Sequence, residues 1–427
     1  MMNQAPTAKQ NTGIDIKLIY FILSMWFISN FSYVAFKLSS YAIGTFISSV
    51  IIILINYKLI FNFRLRRSHF LAILVVSFYL FIFSLYTYLS SGETKPLFSL
   101  PALLVSFFAA ILFAQHVKNI SYQRLENSIL IVIIIFILLG WLGLLFPIAC
   151  CNYAFRSKAV FPFSEQSHYA LALGSLAVAY SITAEKKFLK IFIGINITVL
   201  SIFFPNLTLL LFAILFFGVY VFRFGRTVFI LGLLFIPIFV IWVILPQILK
   251  NEYFASRLIF QNTRNLTTLV FLQGWELAYI NFVQTSGMGL GFQKLGLGGT
   301  QFGVYSNTML MDVGKVFNIE DGGFLASKLI AEFGLIGILI TVLYLIFLIR
   351  FIFFAHRACL IIKNSKSVES HALMKKRLML LGLAFAFFIE FFFRGIGYFS
   401  PGLSLIVVAL AVNSSITNRI INQDVRK

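Results

Sequence analysis

Apolar runs long enough to cross a bilayer recur from one end of this chain to the other, and most charges gather between them. A crossing helix needs roughly 20 predominantly apolar residues. Inside lipid every backbone polar group must be satisfied within the protein, so runs of this length predict helices. They fall at 14–34, 38–61, 69–90, 98–117, 129–149, 168–184, 188–204, 207–222, 227–245, 323–354, 378–395 and 402–418. The expected fold is all-α: a polytopic membrane protein of about 12 transmembrane helices, with residues 1–427 forming a single membrane domain. Composition agrees, since 60% of the residues are hydrophobic and 11% charged, against about 25% charged in soluble domains. A soluble globule with a polar skin is excluded.

The net charge of +20 would suggest a nucleic-acid partner in a soluble protein. Here its placement decides. Arg64-Leu65-Arg66-Arg67, Lys118 with Arg124, Glu185-Lys186-Lys187, Arg223-Phe224-Gly225-Arg226, the segment ending Lys375-Lys376-Arg377 and both tails fall on alternate loops. That side collects about 23 Lys and Arg, and the short loops opposite carry about five: Lys37, Lys95, Arg156, Lys158 and Arg394. The positive-inside rule then puts both termini in the cytoplasm, and nucleic-acid binding is rejected. This alternation requires Pro205-Asn206 to split 188–222 into two spans. The N-terminal segment lacks a cleavage site of small residues after its first apolar run, which is expected to remain as a span. Cys150, Cys151 and Cys359 form neither a disulfide framework nor a metal set.

One loop, 246–322, is too long to be a tight connector and is expected outside, partly helical over 252–284 and glycine-rich after it. Several groups could carry chemistry. In Ser164-Glu165-Gln166-Ser167-His168, Ser164 can cap a helix, and Glu165 and His168 share a face three residues apart. A carboxylate beside an imidazole at a water–membrane boundary is a reasonable acid/base pair; a solvated helix start is the plainer alternative. Arg156 and Lys158 could bind a pyrophosphate or anchor to anionic headgroups. Arg257, Gln261, Arg264 and Thr268 would form one polar stripe on a helix, facing either an extended anion or water. Glu390 and Arg394 have the spacing of a helical ion pair, and Gly395-Ile396-Gly397 would let a substrate approach Arg394 closely. Glu320 and Asp321 are adjacent on the loop. No set of His, Asp and Glu has metal-ligand spacing, so no metal and no cofactor is expected.

Taken in order, these segments resemble the O-antigen polymerase (Wzy-type) family of bacterial inner-membrane glycosyltransferases. Phe163-Ser164-Glu165-Gln166-Ser167-His168-Tyr169-Ala170 looks like that family's Glu-Pro-Ser-His-Phe-Ala signature, with Gln166 for Pro and Tyr169 for Phe. Arg257 or Arg264, then Trp275 and Gly287-Met288-Gly289-Leu290-Gly291-Phe292, resembles a pattern shared by polymerases and O-antigen ligases. Asp321-Gly322-Gly323-Phe324 leading to Ala331-Glu332-Phe333-Gly334 is similar to the segment entering the next span in both. Phe393-Arg394-Gly395-Ile396-Gly397-Tyr398-Phe399-Ser400 is similar to a late polymerase element.

The resemblance implies a type C glycosyltransferase fold with its active site facing the periplasm. Its substrate would be an undecaprenyl-pyrophosphate-linked oligosaccharide, and the growing glycan would move onto the non-reducing end of a new lipid-linked unit. Glu165 or His168 would be the base. Arg156, Arg257, Arg264 and Arg394 would bind the leaving pyrophosphate, with Asp321 and Tyr398 in support. A chain-length regulator membrane protein is the implied partner. An O-antigen ligase would use the same donor. A flippase would instead predict inverted repeats and polar groups at the midplane, whereas the ionisable residues here gather near one boundary.

Overall fold

The computed structural model describes residues 13–36, 40–61, 67–146, 160–163, 165–261, 263–364 and 368–424. Among these the chain is helical, with one isolated bridge between Val160 and Phe163. The first half runs α1 (Ile16–Ala35), α2 (Tyr41–Ile55), the single turn α3 (Tyr57–Ile60), α4 (Arg67–Ser91), α5 (Lys95–Asn119), α6 (Tyr122–Leu145), α7 (Gln166–Thr183), α8 (Lys187–Phe203) and α9 (Leu207–Gly218). Next, α10 (Arg226–Phe239) continues through a π-helical turn into α11 (Leu245–Ile248). The long loop contains α12 (Glu252–Leu258), α13 (Leu266–Gln284) and α14 (Val304–Val313). The chain ends with α15 (Leu325–Phe333), α16 (Leu335–Asn364), α17 (Val368–Ala386), α18 (Phe388–Phe392) and α19 (Pro401–Asp424).

The protein is a helical membrane protein. Among the described residues six helices are long and apolar enough to cross a bilayer: Ile16–Ala35, Ile73–Ser91, Lys95–Asn119, Tyr122–Leu145, Arg226–Ile248 and Leu335–Lys363. Tyr41–Ile55, Leu207–Arg223 and Pro401–Ser415 are apolar but shorter. The split at Pro205-Asn206 is present: α8 stops at Phe203, and the Asn206 side chain caps α9 by accepting from Leu209 N at 3.1 Å. The run expected as one span over 323–354 is two helices. The chain turns at Gly334, where φ is 53°, and α16 then extends to Asn364.

At the centre stands α7, which packs against α6, α9 and α17. It is buried from His168 to Thr183, with only Ser175 partly exposed. In lipid, helices associate through close packing more than through a hydrophobic drive, and small residues permit it. Ala170, Ala172, Gly174, Ala177 and Ala179 supply that surface, and the Phe212 ring lies directly on Gly174. Gly44 does the same between α1 and α2, where a Cβ would stand 2.8 Å from the Ser29 backbone. By contrast, α4 and α10 leave most of their apolar residues exposed, as lipid-facing helices do.

Two basic residues counted above on the Lys- and Arg-rich side turn inward. Arg223 donates from Nη2 to the carbonyls of Ile182 at 3.0 Å and Ala184 at 2.6 Å, where α7 ends. Lys376, buried, donates from Nζ to Val117 at 2.7 Å, Lys118 at 3.1 Å and Ile120 at 2.6 Å, where α5 ends. The last carbonyls of a helix lack intrahelical donors, and a cation there also meets the negative end of the dipole. Helices α5 and α7 therefore start together at one end of the bundle and finish together at the other.

Candidate functional site

A polar pocket lies where α5 and α7 begin. Its walls come from far apart in sequence: Tyr33 and Tyr41 from α1 and α2, Lys95 from α5, Glu165 and His168 from the start of α7, Glu320 and Asp321 from the long loop, and Arg394 after α18. The approach to Glu165 is fixed by Phe163, buried among Trp26, Phe136 and Tyr169 at ring-centroid distances of 6.4, 5.8 and 5.7 Å. Asn206 donates to Gln166 O at 2.8 Å and holds the first turn.

The helix begins at Gln166, so Glu165 occupies the cap position in place of Ser164, which lies outside the described residues. The Glu165 side chain does not cap. It pairs with Arg394, whose Nη2 donates to Oε2, and accepts from the Ser167 hydroxyl at 2.9 Å. Arg394 Nε donates to that same hydroxyl at 3.3 Å, closing a three-residue ring. Burial pushes the Glu165 carboxyl up, but Arg394, His168 and Ser167 outweigh it and hold it down at about 2. His168 is buried, and its Nδ1 lies 2.8 Å from the Tyr41 hydroxyl. The Tyr41 ring is stacked on Tyr33 at 4.4 Å.

The expected pair between Glu390 and Arg394 does not form. Helix α18 ends at Phe392, and Phe393 N and Arg394 N both donate to Ile389 O, at 2.9 and 3.1 Å. Arg394 thus leaves the helical path before its fourth-residue neighbour can reach it. Gly395 N then donates to Gly323 O at 3.1 Å and ties this segment to the Asp321 loop. Glu390 is buried against Gly402 instead, and its Oε1 has no partner among the described residues.

Two lysines form further ion pairs around the pocket. Lys95 Nζ meets Glu320 Oε2 at 2.5 Å. Lys328, buried beneath the floor, reaches Gln293 Oε1 at 3.2 Å, the Glu320 carbonyl, Glu332 Oε1 at 3.6 Å and Asp321 Oδ1 at 3.9 Å. Glu332 also accepts from Gln293 N at 3.0 Å, Leu295 N at 3.2 Å and the Tyr398 hydroxyl at 2.7 Å. Tyr398 therefore braces the pocket from behind and does not line it. Asp321 faces the cavity. Burial raises its carboxyl above the ordinary value, against the pull of Lys328 and Lys95.

The remaining arginines are elsewhere. The described residues between α12 and α13 are not helical, so the stripe of Arg257, Gln261, Arg264 and Thr268 is broken. Arg257 stacks 3.6 Å over its own helix's Tyr253 ring and donates to Tyr253 O at 2.9 Å. Arg264 is exposed on the connector. Neither lines the pocket. Arg156, with Lys158, lies outside the described residues. The glycine run is a clamp: Leu290 N and Gly291 N donate to Ala331 O and Glu332 O at 2.9 and 2.8 Å, and Leu335 N donates to Gly287 O at 2.8 Å. It covers the end of α15 where the next helix turns away. Gly289, at φ 81°, sits too close to Glu332 and Gly334 to carry a side chain.

Lys95, Lys328 and the two tyrosines were not expected here. Lys328 and Glu332 did carry a signal, an i, i+4 pair inside an apolar run. Among the described residues no three His, Cys, Asp or Glu side chains converge as metal ligands would. No family model, curated protein or solved structure matches the chain.

Proposed function

We propose that this protein is a polysaccharide polymerase of the bacterial cytoplasmic membrane. It would transfer a growing glycan from undecaprenyl pyrophosphate to the non-reducing end of a new undecaprenyl-pyrophosphate-linked repeat unit. One observation carries this: Glu165 and Arg394, from two of the segments that resemble O-antigen polymerases, meet through a hydrogen-bonded ion pair in one polar pocket. In this reading the chain crosses the membrane about twelve times, as the apolar runs predict. Both termini are cytoplasmic, the pocket opens to the periplasm, and a chain-length regulator is a partner.

The reaction needs a cation where negative charge develops on the departing pyrophosphate. Arg394 and Lys95 stand on the pocket wall for this, each held by a carboxylate until substrate arrives. A diphosphate, with more charge and more acceptor oxygens than a carboxylate, competes for the guanidinium fork. The stacked tyrosines and the acids give a sugar a ring face and hydroxyl acceptors. Arg257 and Arg264, away from the pocket, are left to contact lipid headgroups or the glycan at a distance.

The test is the lipopolysaccharide ladder of a deletion strain. Loss of long chains with core plus one unit retained, restored by the wild-type gene, is the expected result. Bare core would mean a ligase, and repeat units trapped on the cytoplasmic side would mean a flippase.

A further inference from the structure

Taking the glycosyl transfer proposed above as the reaction, we infer that Asp321 is the residue that accepts the proton of the attacking sugar hydroxyl. Among the described residues, three carboxylates stand on the pocket wall, and their partners differ. Glu165 is gripped by Arg394 and Ser167. Glu320 is held by Lys95 at 2.5 Å. No hydrogen-bond donor among the described residues reaches the Asp321 carboxylate, and its nearest cation, Lys328, stands 3.9 Å from Oδ1. Lys328 is itself committed to Gln293, the Glu320 carbonyl and Glu332. The Asp321 side chain is 42% exposed, toward the cavity.

The surrounding backbone is shaped to present it. Gly322 and Gly323 follow at φ 62° and 76°, conformations that favour glycine. Gly397, at φ 73°, passes so close that a Cβ there would stand 2.8 Å from Asp321 Oδ1. Proton acceptance needs an oxygen with a free lone pair and a pKa not far below the working pH. Glu165, held at about 2, fails the second condition, whereas burial moves Asp321 the other way. Where environments push two acids apart, the roles divide in the same sense.

The step balances. The acceptor hydroxyl oxygen forms a bond to the anomeric carbon of the donor glycan. The bond from that carbon to the pyrophosphate oxygen breaks, and its electron pair leaves with the pyrophosphate toward Arg394. The hydroxyl proton passes to Asp321, which returns it to water. Glu165 is then a positioning residue that holds Arg394 ready.

The experiment uses the full-length protein in liposomes, supplied with lipid-linked oligosaccharide extracted from the deletion strain. Asp321→Asn, equal in size, should slow polymerisation by about 100-fold or more, the lower range for losing a general base. It should still extract in normal yield. Asp321→Glu should keep partial activity and shift the acidic limb of the rate profile. The charged groups facing Asp321 are Lys328, Lys95, Glu320 and Arg394. Because they stay in place in both variants, the shift reports residue 321. Near-normal chains from Asp321→Asn, or an unmoved limb in Asp321→Glu, would overturn the inference while the polymerase reading stood. If the wild type makes no chains from this pool, the reading itself falls and the inference with it. Should Asp321→Asn fail to fold, the limb in Asp321→Glu decides.

Discussion

At one end of the bundle Arg223 and Lys376 donate to backbone carbonyls where α7 and α5 finish. At the other end, where the same helices start, Arg394 and Lys95 face carboxylates on the wall of a cavity. The carbonyls of a helix terminus belong to the fold and stay where they are. A carboxylate partner can be exchanged for another anion without unfolding anything. Cations of the first kind hold helices; cations of the second kind can change partners. Lys375, paired with Glu185 at the first end, does not line that cavity.

The sharpest test sets one cation of each kind side by side. Arg394→Ala should abolish long chains in the ladder with near-normal protein yield, and Lys should rescue poorly because it lacks the planar fork. Arg223→Ala should lower the yield of folded protein, with whatever remains still able to polymerise. Adding Glu390→Ala to Arg394→Ala should restore nothing, since the two residues do not touch. A double variant with normal chains would break the distinction between the two ends.

A stability measurement probes the same contrast on a smaller scale. Lys376→Met keeps the length of the side chain and removes the donor from three carbonyls, two of them buried. Orphaning such groups costs on the order of 1–3 kcal/mol each at most, and neighbouring water will recover part of it. Thermal unfolding in detergent should therefore shift clearly downward. Lys95→Met breaks a pair whose glutamate is half-exposed, worth about 1 kcal/mol or less. Its unfolding should move little while its affinity for the lipid-linked donor falls. Equal shifts in the two variants would mean that the pocket's ion pairs also hold the fold.

Much of this architecture is legible in the sequence, because apolar runs in lipid have few alternatives to helix. The break at Pro205-Asn206 is legible for the same local reason: a proline ring cannot continue the helix and an asparagine caps the next one. The partner of Arg394 is not. A spacing of four implies contact only while the helix continues, and α18 stops two residues short of Arg394. Glu165 lies 229 positions away in sequence, and nothing local announces that meeting. The stripe through Arg257 and Arg264 fails in the same way, where the described residues between α12 and α13 leave the helix. Lys95 reads in sequence only as an outer charge, because its significance depends on a loop that returns after more than two hundred residues.

The smallest effect expected is the pH dependence of the Glu165–Arg394 pair, and its sign separates an ion pair from a neutral contact. The Glu165 carboxyl is depressed in the folded protein, from 4.5 to about 2. A depressed carboxyl contributes stability that is fully present above its unfolded pKa and is lost as pH falls through the folded one. Wild type should therefore exceed Glu165→Gln by a constant margin from neutral pH down to about 5. The margin should shrink between there and about 2. It will be modest, because the Glu165 side chain is 48% exposed and solvent screens the pair. Chemical unfolding of both proteins in detergent at several pH values measures it. A margin that instead shrank as pH rose from 5 to 8 would mean that the folded protein raises the Glu165 carboxyl, and a low pKa would then no longer set Glu165 aside in favour of Asp321.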